Sequence, residues 1–413
     1  MVMDIRRDFD DWQQTEAPLE EGGGTLSAFT FLCIVILTTS LGLIMLYSAS
    51  YNEALIHGLP HHYFFTRQLM FVVLALFGWL VIRYIPLRWV EKISYLVLTL
   101  SILLLLLTLF SPFGQERLGS KRWLQIGPLP SFQPSEFAKV GIILFFAAYH
   151  KEDRSTQSII KQHGLPIAFS LLITLLIFLQ RDYSSAVLFL GISFAMLLAS
   201  GFRIVHMVIL LAFLVPPAIV AMFSQSYRIK RIVSFLFPTL DPSGMNYQVS
   251  TGLKAISSGG LFGVGLGNGT FKLGLLPEVQ SDFIFASVCE ELGFVGGAFI
   301  LALFLMFAIL GYHASRRMQD RDRFLSLTAF GLTSMVLFQA ILNLGVVTAL
   351  LPPTGIPLPF FSQGGTNLLV VLLSCAMLYR ILLISSGKIP LNKSSLGKEE
   401  RTEIHFPAQG GDQ

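Results

Sequence analysis

Leu26–Tyr47 contains no charged residue, and apolar blocks like it recur along most of the chain. A helix needs roughly 20 apolar residues to cross the hydrocarbon core of a bilayer. Within that core every backbone N–H and C=O must be paired inside the protein, so such blocks are read as helices. About ten are expected: Leu26–Tyr47, Leu69–Val81, Ile93–Phe110, Phe137–Tyr149, Leu165–Leu179, Ser185–Ser200, Ile204–Phe223, Phe283–Gly311, Leu325–Leu350 and Leu368–Ile384. Charged residues make up 13% of the 413-residue chain, about half the share in soluble domains. The expected fold is all-α: a polytopic integral membrane protein of about ten transmembrane helices with a long fourth extracytoplasmic loop.

An even number of spans puts both termini on one side, and Lys and Arg select that side. Arg316, Arg317, Arg321 and Arg323 form the clearest basic cluster and set both termini in the cytoplasm. Residues 1–25 form an acidic tail, 26–386 one membrane domain, and 387–413 a polar tail. The N-terminal tail has no small-residue cleavage site, so no signal peptide is read. The net charge is +4, with basic residues spread through loops. No nucleic-acid module is present, which sets nucleic acid aside as a partner. Cys33, Cys289 and Cys375 lie in apolar runs and are read as buried small hydrophobes.

The unusual chemistry lies in the outer loops. The first contains His57, His61 and His62, but no carboxylate or Cys stands at metal-ligand spacing, so no metal site is assigned. The second carries Lys121, Arg122 and Trp123, then Gln133-Pro134-Ser135-Glu136. Pro suits the first helical turn and an acid there is favoured by the helix dipole. Glu136 and Lys139 share a helical face, either as a simple ion pair or, the preferred reading, as the polar wall of an outward cavity. Asp182 in the third loop either separates two helices or lines the same cavity.

The fourth loop, 224–282, holds Arg228, Lys230 and Arg231, then a run of glycines from Gly259 to Gly269. The run lacks a GK[ST] ending and a preceding strand, so it is not a nucleotide loop. It is expected to lie as a strap on the membrane surface with backbone N–H groups free for anions. The last outer segment, Leu351–Leu369, has four prolines and cannot be regular helix. Irregular backbone at membrane depth is tolerated only against protein or a wet cavity, so this segment is expected to wall the pocket.

Asp282 stands where the eighth apolar block begins. Position alone leaves two roles for it: a helix cap worth about 1 kcal/mol, or a general base worth about 10²–10⁴-fold in rate. Glu290 and Glu291 fall about 12 Å further along a continuous helix and are assigned to interhelical pairing.

These motifs in order resemble the SEDS family of membrane proteins (shape, elongation, division and sporulation). The residues that carry the resemblance are Ser48-Ala49-Ser50, Arg67-Gln68, Arg122-Trp123, Gln133-Pro134-Ser135-Glu136 with Lys139, Gln180 with Asp182, and Asp241-Pro242 with Tyr247-Gln248. Leu276-Pro277-Glu278, Ser281 to Ala286, Glu290 to Gly293, and Pro359-Phe360 with Ser362, Gly364 and Gly365 complete them. Tyr227–Arg231 and Tyr247-Gln248 are closer to the division branch than to the elongation branch. The family usually has Pro at the place of Arg181, Thr at Ser281, Tyr at Gln363, and two serines at Thr366-Asn367.

The resemblance implies a peptidoglycan glycosyltransferase that polymerises lipid II at the outer face of the bacterial cytoplasmic (inner) membrane. It also implies a class B penicillin-binding protein as transpeptidase partner, with other division proteins and membrane lipids around it at the septum. Asp282 is then the catalytic base. The substrate-binding candidates are Arg122, Trp123, Gln133, Glu136, Lys139, Asp182, Arg228, Arg231, Gln248, Lys272 and Ser362. The leaving pyrophosphate is met by cations of the chain, with or without a divalent ion (Mg²⁺ or Mn²⁺); no other cofactor is implied. Two rival functions use the same features: a lipid II flippase, and a non-catalytic division scaffold.

Overall fold

The computed structural model describes residues 23–117, 119–128, 130–152, 157–223, 235 and 245–389. Its helices are α1 (Gly23–Ile56), α2 (Tyr63–Tyr84), α3 (Leu87–Phe110), α4 (Pro134–Tyr149), α5 (Ile159–Leu179), α6 (Tyr183–Ala199), α7 (Ile204–Phe223), α8 (Met245–Ser258), α9 (Ile284–Met318), α10 (Arg323–Val347) and α11 (Gly365–Ser385). Each expected apolar block coincides with one of these helices. Seven of them (α1, α2, α3, α5, α9, α10 and α11) are long and apolar enough to cross a membrane. The others are shorter or, like α4, carry buried charge. Most of both expected tails lies outside the described residues, as do Arg228 and Arg231.

α10 and α11 are the most enclosed spans, while α2 and α3 expose most of their surface. A bundle in lipid needs only its inner helices sealed, so the exposed Leu, Val and Phe of α2 and α3 are the lipid-facing coat. Cys289 and Cys375 are buried, but Cys33 is exposed on α1. It faces the surrounding lipid rather than the protein interior, which an apolar run alone does not distinguish.

Two features depart from the expected pattern. The fold is not wholly α: after α3, β1 (Gly114–Arg117) pairs antiparallel with β2 (Ser120–Leu124), with a bulge between Gln115 and Glu116. Gly119, at φ 74°, makes the reversal, a torsion that glycine adopts without a Cβ penalty. Lys121 fastens the hairpin by donating to Leu109 O and Ser111 O at the end of α3. Ser120 and Lys121 N donate to Gln180 O.

The second departure is inside α9. Gly293 sits at φ 70°, ψ −169°, a conformation essentially restricted to glycine. A Cβ there would stand 2.3 Å from Gly263 N and 2.5 Å from Leu261 O. The helix is therefore two pieces. Phe294–Met318 alone gives about 37 Å of helix, enough to cross a bilayer. That leaves Ile284–Leu292, with Glu290 and Glu291, as a separate half-helix at the strap end of α9 and not part of the spanning rod.

The strap wraps this short half-helix. Its N–H groups are not free for anions, as the sequence suggested: they are taken by the chain's own acceptors. Val264 N and Gly265 N bond Glu290 O and Glu291 O. Gly267 N donates to Glu291 Oε2 at 2.9 Å. Thr270 N and Phe271 N donate to Glu290 Oε1. In return Phe294 N and Val295 N, left unpaired by the break, donate to Gly260 O and Leu261 O.

Candidate functional site

Segments from along the chain converge on one polar cavity of about 350 Å³. The start of α2 brings Phe64, Arg67, Gln68 and Phe71, and the hairpin brings Arg117, Arg122 and Trp123. Gln133, Glu136 and Lys139 come from the start of α4, and Ser185 from α6. The strap contributes Glu278, Ser281 and Asp282, and the proline-rich segment contributes Gly355, Ile356 and Pro357.

Asp282 is half-buried on this wall. The N-cap position of α9 is Phe283, which makes no side-chain cap, and Ser281 and Asp282 precede it. Ser281 Oγ instead donates to Glu278 Oε2 at 3.1 Å. The Asp282 backbone is pinned from both sides: its N–H donates to Glu278 O at 3.1 Å, and its C=O accepts from Asn343 Nδ2 at 2.9 Å. The Arg122 guanidinium lies on the same wall. A Cβ built on Gly355 would stand 3.5 Å from Asp282 Oδ2 and 4.0 Å from Arg122 Nη1 and Nη2, so carboxylate and guanidinium face the same point.

Arg122 is held by Asp182, at 3.4 Å. Asp182 also accepts from Gln133 Nε2 at 3.0 Å and caps α6 by accepting from Ser185 N. Asp182 thus acts behind the cavity wall, orienting Arg122 and capping α6, and is not itself on the wall. Arg181 beside it adopts φ 61°, a torsion that proline's ring forbids; the turn differs from one built on the family's usual proline.

Pro134 occupies the first turn of α4 and Glu136 follows it, as the sequence indicates. Glu136 Oε2 lies 2.8 Å from Lys139 Nζ, both nearly fully buried. The pair is embedded in a chain of bonds. Asn367 Nδ2 donates to Glu136 Oε2 at 2.8 Å, Lys139 Nζ to Gln339 Oε1 at 3.1 Å, and Gln339 Nε2 to Pro357 O at 2.9 Å. Thr366 Oγ1 accepts from Gln133 N. The two positions that depart from the family's serines therefore touch two cavity residues.

Trp123 lies on the wall and stacks under the Arg117 guanidinium at 5.6 Å. Ser362 supports the wall from behind: its Oγ accepts from Leu358 N, and its carbonyl accepts from Gln68 Nε2. Gln248 is half-buried on α8 and is not on the cavity wall.

Lys272 is also elsewhere. Its ammonium is buried against Glu291 and Ser48, and Ser48 donates to both Glu291 oxygens at 2.7 and 2.9 Å. A lysine expected to meet pyrophosphate is instead the counter-charge of a buried acid, because a buried carboxylate without a partner is costly. Glu291 thus reaches another helix only through Ser48, its charge partner coming from the strap, while Glu290 holds strap backbone; the expected interhelical pairing is mostly a pairing with the strap.

Sequence reasoning gave Arg67 only as part of the resemblance, with no site role, and did not single out Gln339, Asn343 or Gly355. Gly355 was visible only as one glycine among many. Gln339 and Asn343 lie in an apolar span, where buried amides are a readable polar signal. Among the described residues no three His, Cys, Asp or Glu side chains gather as a metal site. A divalent ion here would rest on Asp282 and the substrate's own phosphates.

Beside the polar cavity, and sharing Phe71 with it, runs an apolar groove of about 790 Å³ between α2 and α3. Met70, Val73, Leu74 and Phe77 face Leu100 and Leu104 across it.

The family model described as a cell cycle protein, covering FtsW, RodA and SpoVE, matches residues 28–386. A probable peptidoglycan glycosyltransferase FtsW from Borreliella burgdorferi is 35% identical over 344 residues, covering 83% of this chain and 93% of its own. The stage V sporulation protein E of Bacillus subtilis is 38% identical over 355 residues, covering 84% and 94%. Among solved structures, a chain of a peptidoglycan synthase complex that coordinates polymerization and crosslinking superposes with a TM-score of 0.70. It is 27% identical and covers 87% of this chain and 98% of its own. By sequence over nearly all of its membrane region, and by fold, the chain belongs to the FtsW/RodA/SpoVE family.

Proposed function

We infer that the chain is a peptidoglycan glycosyltransferase that polymerises lipid II at the outer face of the cytoplasmic membrane, with its termini in the cytoplasm. The observation that carries this reading is the Asp282 carboxylate facing Arg122 in a polar cavity that shares a wall with a lipid-side apolar groove. A substrate with a sugar headgroup and a polyprenyl tail needs both compartments side by side.

In the reaction, the acceptor's 4-hydroxyl oxygen bonds to the donor's anomeric carbon, and the bond from that carbon to the pyrophosphate oxygen breaks. The electron pair leaves with undecaprenyl pyrophosphate. Asp282 takes the hydroxyl proton as the new bond forms, a contribution of about 10²–10⁴-fold for a placed base. Arg122, with Arg67 and Arg117 on the same wall, neutralises the growing charge on the leaving group. Guanidinium forks suit phosphate oxygens. A divalent cation, where bound, supplies further positive charge to the pyrophosphate. The Glu136–Lys139–Gln339 network is fully buried and keeps the wall in shape. The relative in the peptidoglycan synthase complex supports a crosslinking partner for this chain, namely a class B penicillin-binding protein. The FtsW relatives support a role in septal wall synthesis.

Asp282→Asn keeps the side chain's size and loses the proton acceptor. The variant is expected to purify and melt like the wild type and to make no glycan from labelled lipid II in vesicles with its partner. Normal polymer from this variant would end the general-base role. Lipid II crossing the bilayer without polymer would make the chain a flippase, and neither activity would leave a scaffold.

A further inference from the structure

Gly355 has no backbone reason to be glycine. Its φ lies outside the left-handed region, and a Cβ there would meet only ordinary contact distances. Gly259, Gly293 and Gly365, by contrast, are each held against atoms that a Cβ would strike. What distinguishes Gly355 among the described glycines is its view: its missing side chain faces Asp282 Oδ2 at 3.5 Å and both Arg122 Nη atoms at 4.0 Å, and nothing nearer.

The backbone of Gly355's neighbours and that of Asp282 are fixed to each other by shared bonds. Asn343 Nδ2 donates to Asp282 O at 2.9 Å and to Ile356 O at 2.8 Å. One buried amide therefore fixes the strap and the proline-rich segment at a set separation. Gln339 Nε2 fixes the next carbonyl, Pro357 O. The backbone at 355 cannot drift away from the carboxylate.

An alcohol bonded to a carboxylate oxygen places its own oxygen about 2.7 Å away, and its carbon then falls about 3.5 Å away. That is the distance at which a Cβ on residue 355 would stand. We propose that Gly355 is the size-selecting position of the acceptor-sugar subsite: its bare backbone leaves room for the carbon bearing the reacting hydroxyl, directly over Asp282. The assignment rests on the polymerase reading above and names which part of the substrate enters between Asp282 and Arg122.

The test uses the full-length protein with its partner in vesicles. Gly355→Ala is expected to melt and co-purify as the wild type does, while polymerisation of purified lipid II falls at least tenfold. Gly355→Val is expected to reach background. A second arm reads occupancy without turnover. The thiol of Ser281→Cys, on the same cavity wall, is labelled by a maleimide from the outer side, and purified lipid II is expected to slow that labelling at least fivefold, a protection lost when Gly355→Val is added. Wild-type polymerisation by a well-folded Gly355→Ala variant overturns the proposal, as does labelling indifferent to lipid II. Protection without any polymer from the wild type would overturn the polymerase reading and still place residue 355 in the lipid II site.

Discussion

At the scale of single residues, the same side-chain type plays opposite parts. Asp282 lies on the open wall of a cavity, whereas Glu291 is sealed against Lys272 and Ser48. Removing one member of a buried pair leaves the other charge uncompensated, at a cost of about 3–5 kcal/mol. Lys272→Met should therefore lower the melting temperature strongly, and Lys272→Met with Glu291→Met should recover much of it. A thermal melt of both variants checks this. If Lys272 were a phosphate contact instead, the single variant would melt normally and use lipid II poorly. Asp282 was legible in sequence because its neighbours form an ordered motif. The true role of Lys272 was not, because its partners are 19 and 224 residues away along the chain. Those distances close only once α9 breaks and the strap folds back.

At the scale of elements, the start of α4 was readable and the break in α9 was not. Pro134 followed by Glu136 announces a helix start by torsion and dipole, and the structure puts one there. Gly293 sits in Gly293-Phe294-Val295-Gly296-Gly297, which reads equally well as small-residue packing within a span. Only the approach of Gly263 and Leu261 to within 2.5 Å of its absent Cβ reveals the kink. Gly293→Ala should consequently fail at the level of folding, with loss of the monodisperse protein in detergent. The same change at Gly164, where a Cβ meets nothing closer than a side chain at 3.5 Å, should be tolerated. Equal yields from both variants would argue against the break. The hairpin was unreadable for another reason: it is short, lacks clear alternation, and is held by the α3 terminus and Gln180 rather than by its own propensity.

At the scale of the whole molecule, the apolar blocks predicted the bundle, because lipid imposes helix on any long apolar run. They did not predict which helices would be peripheral, since α2 and α10 are alike in length and hydropathy and differ in what covers them. The peripheral pair α2 and α3 frames the groove next to the polar cavity. Leu74 is half-exposed there. Leu74→Trp should fill part of the groove and raise KM about tenfold or more for undecaprenyl-linked substrate, with a smaller effect on a short-prenyl analogue. Steady-state kinetics with both tail lengths checks it, and equal effects on the two would place the tail elsewhere.

The interruption at Gly293 also bears on how the protein tolerates its solvent. A rigid rod through a membrane tilts when the bilayer thins or thickens, and anything welded to its tip swings with it. Here the Asp282 carboxylate stands at the start of a separate half-helix, which Glu291 fastens to the strap and, through Ser48, to another helix. The rod's own first amides, Phe294 N and Val295 N, are bonded to that same strap, so a change of tilt would be shared among rod, strap and half-helix instead of being taken up at the break.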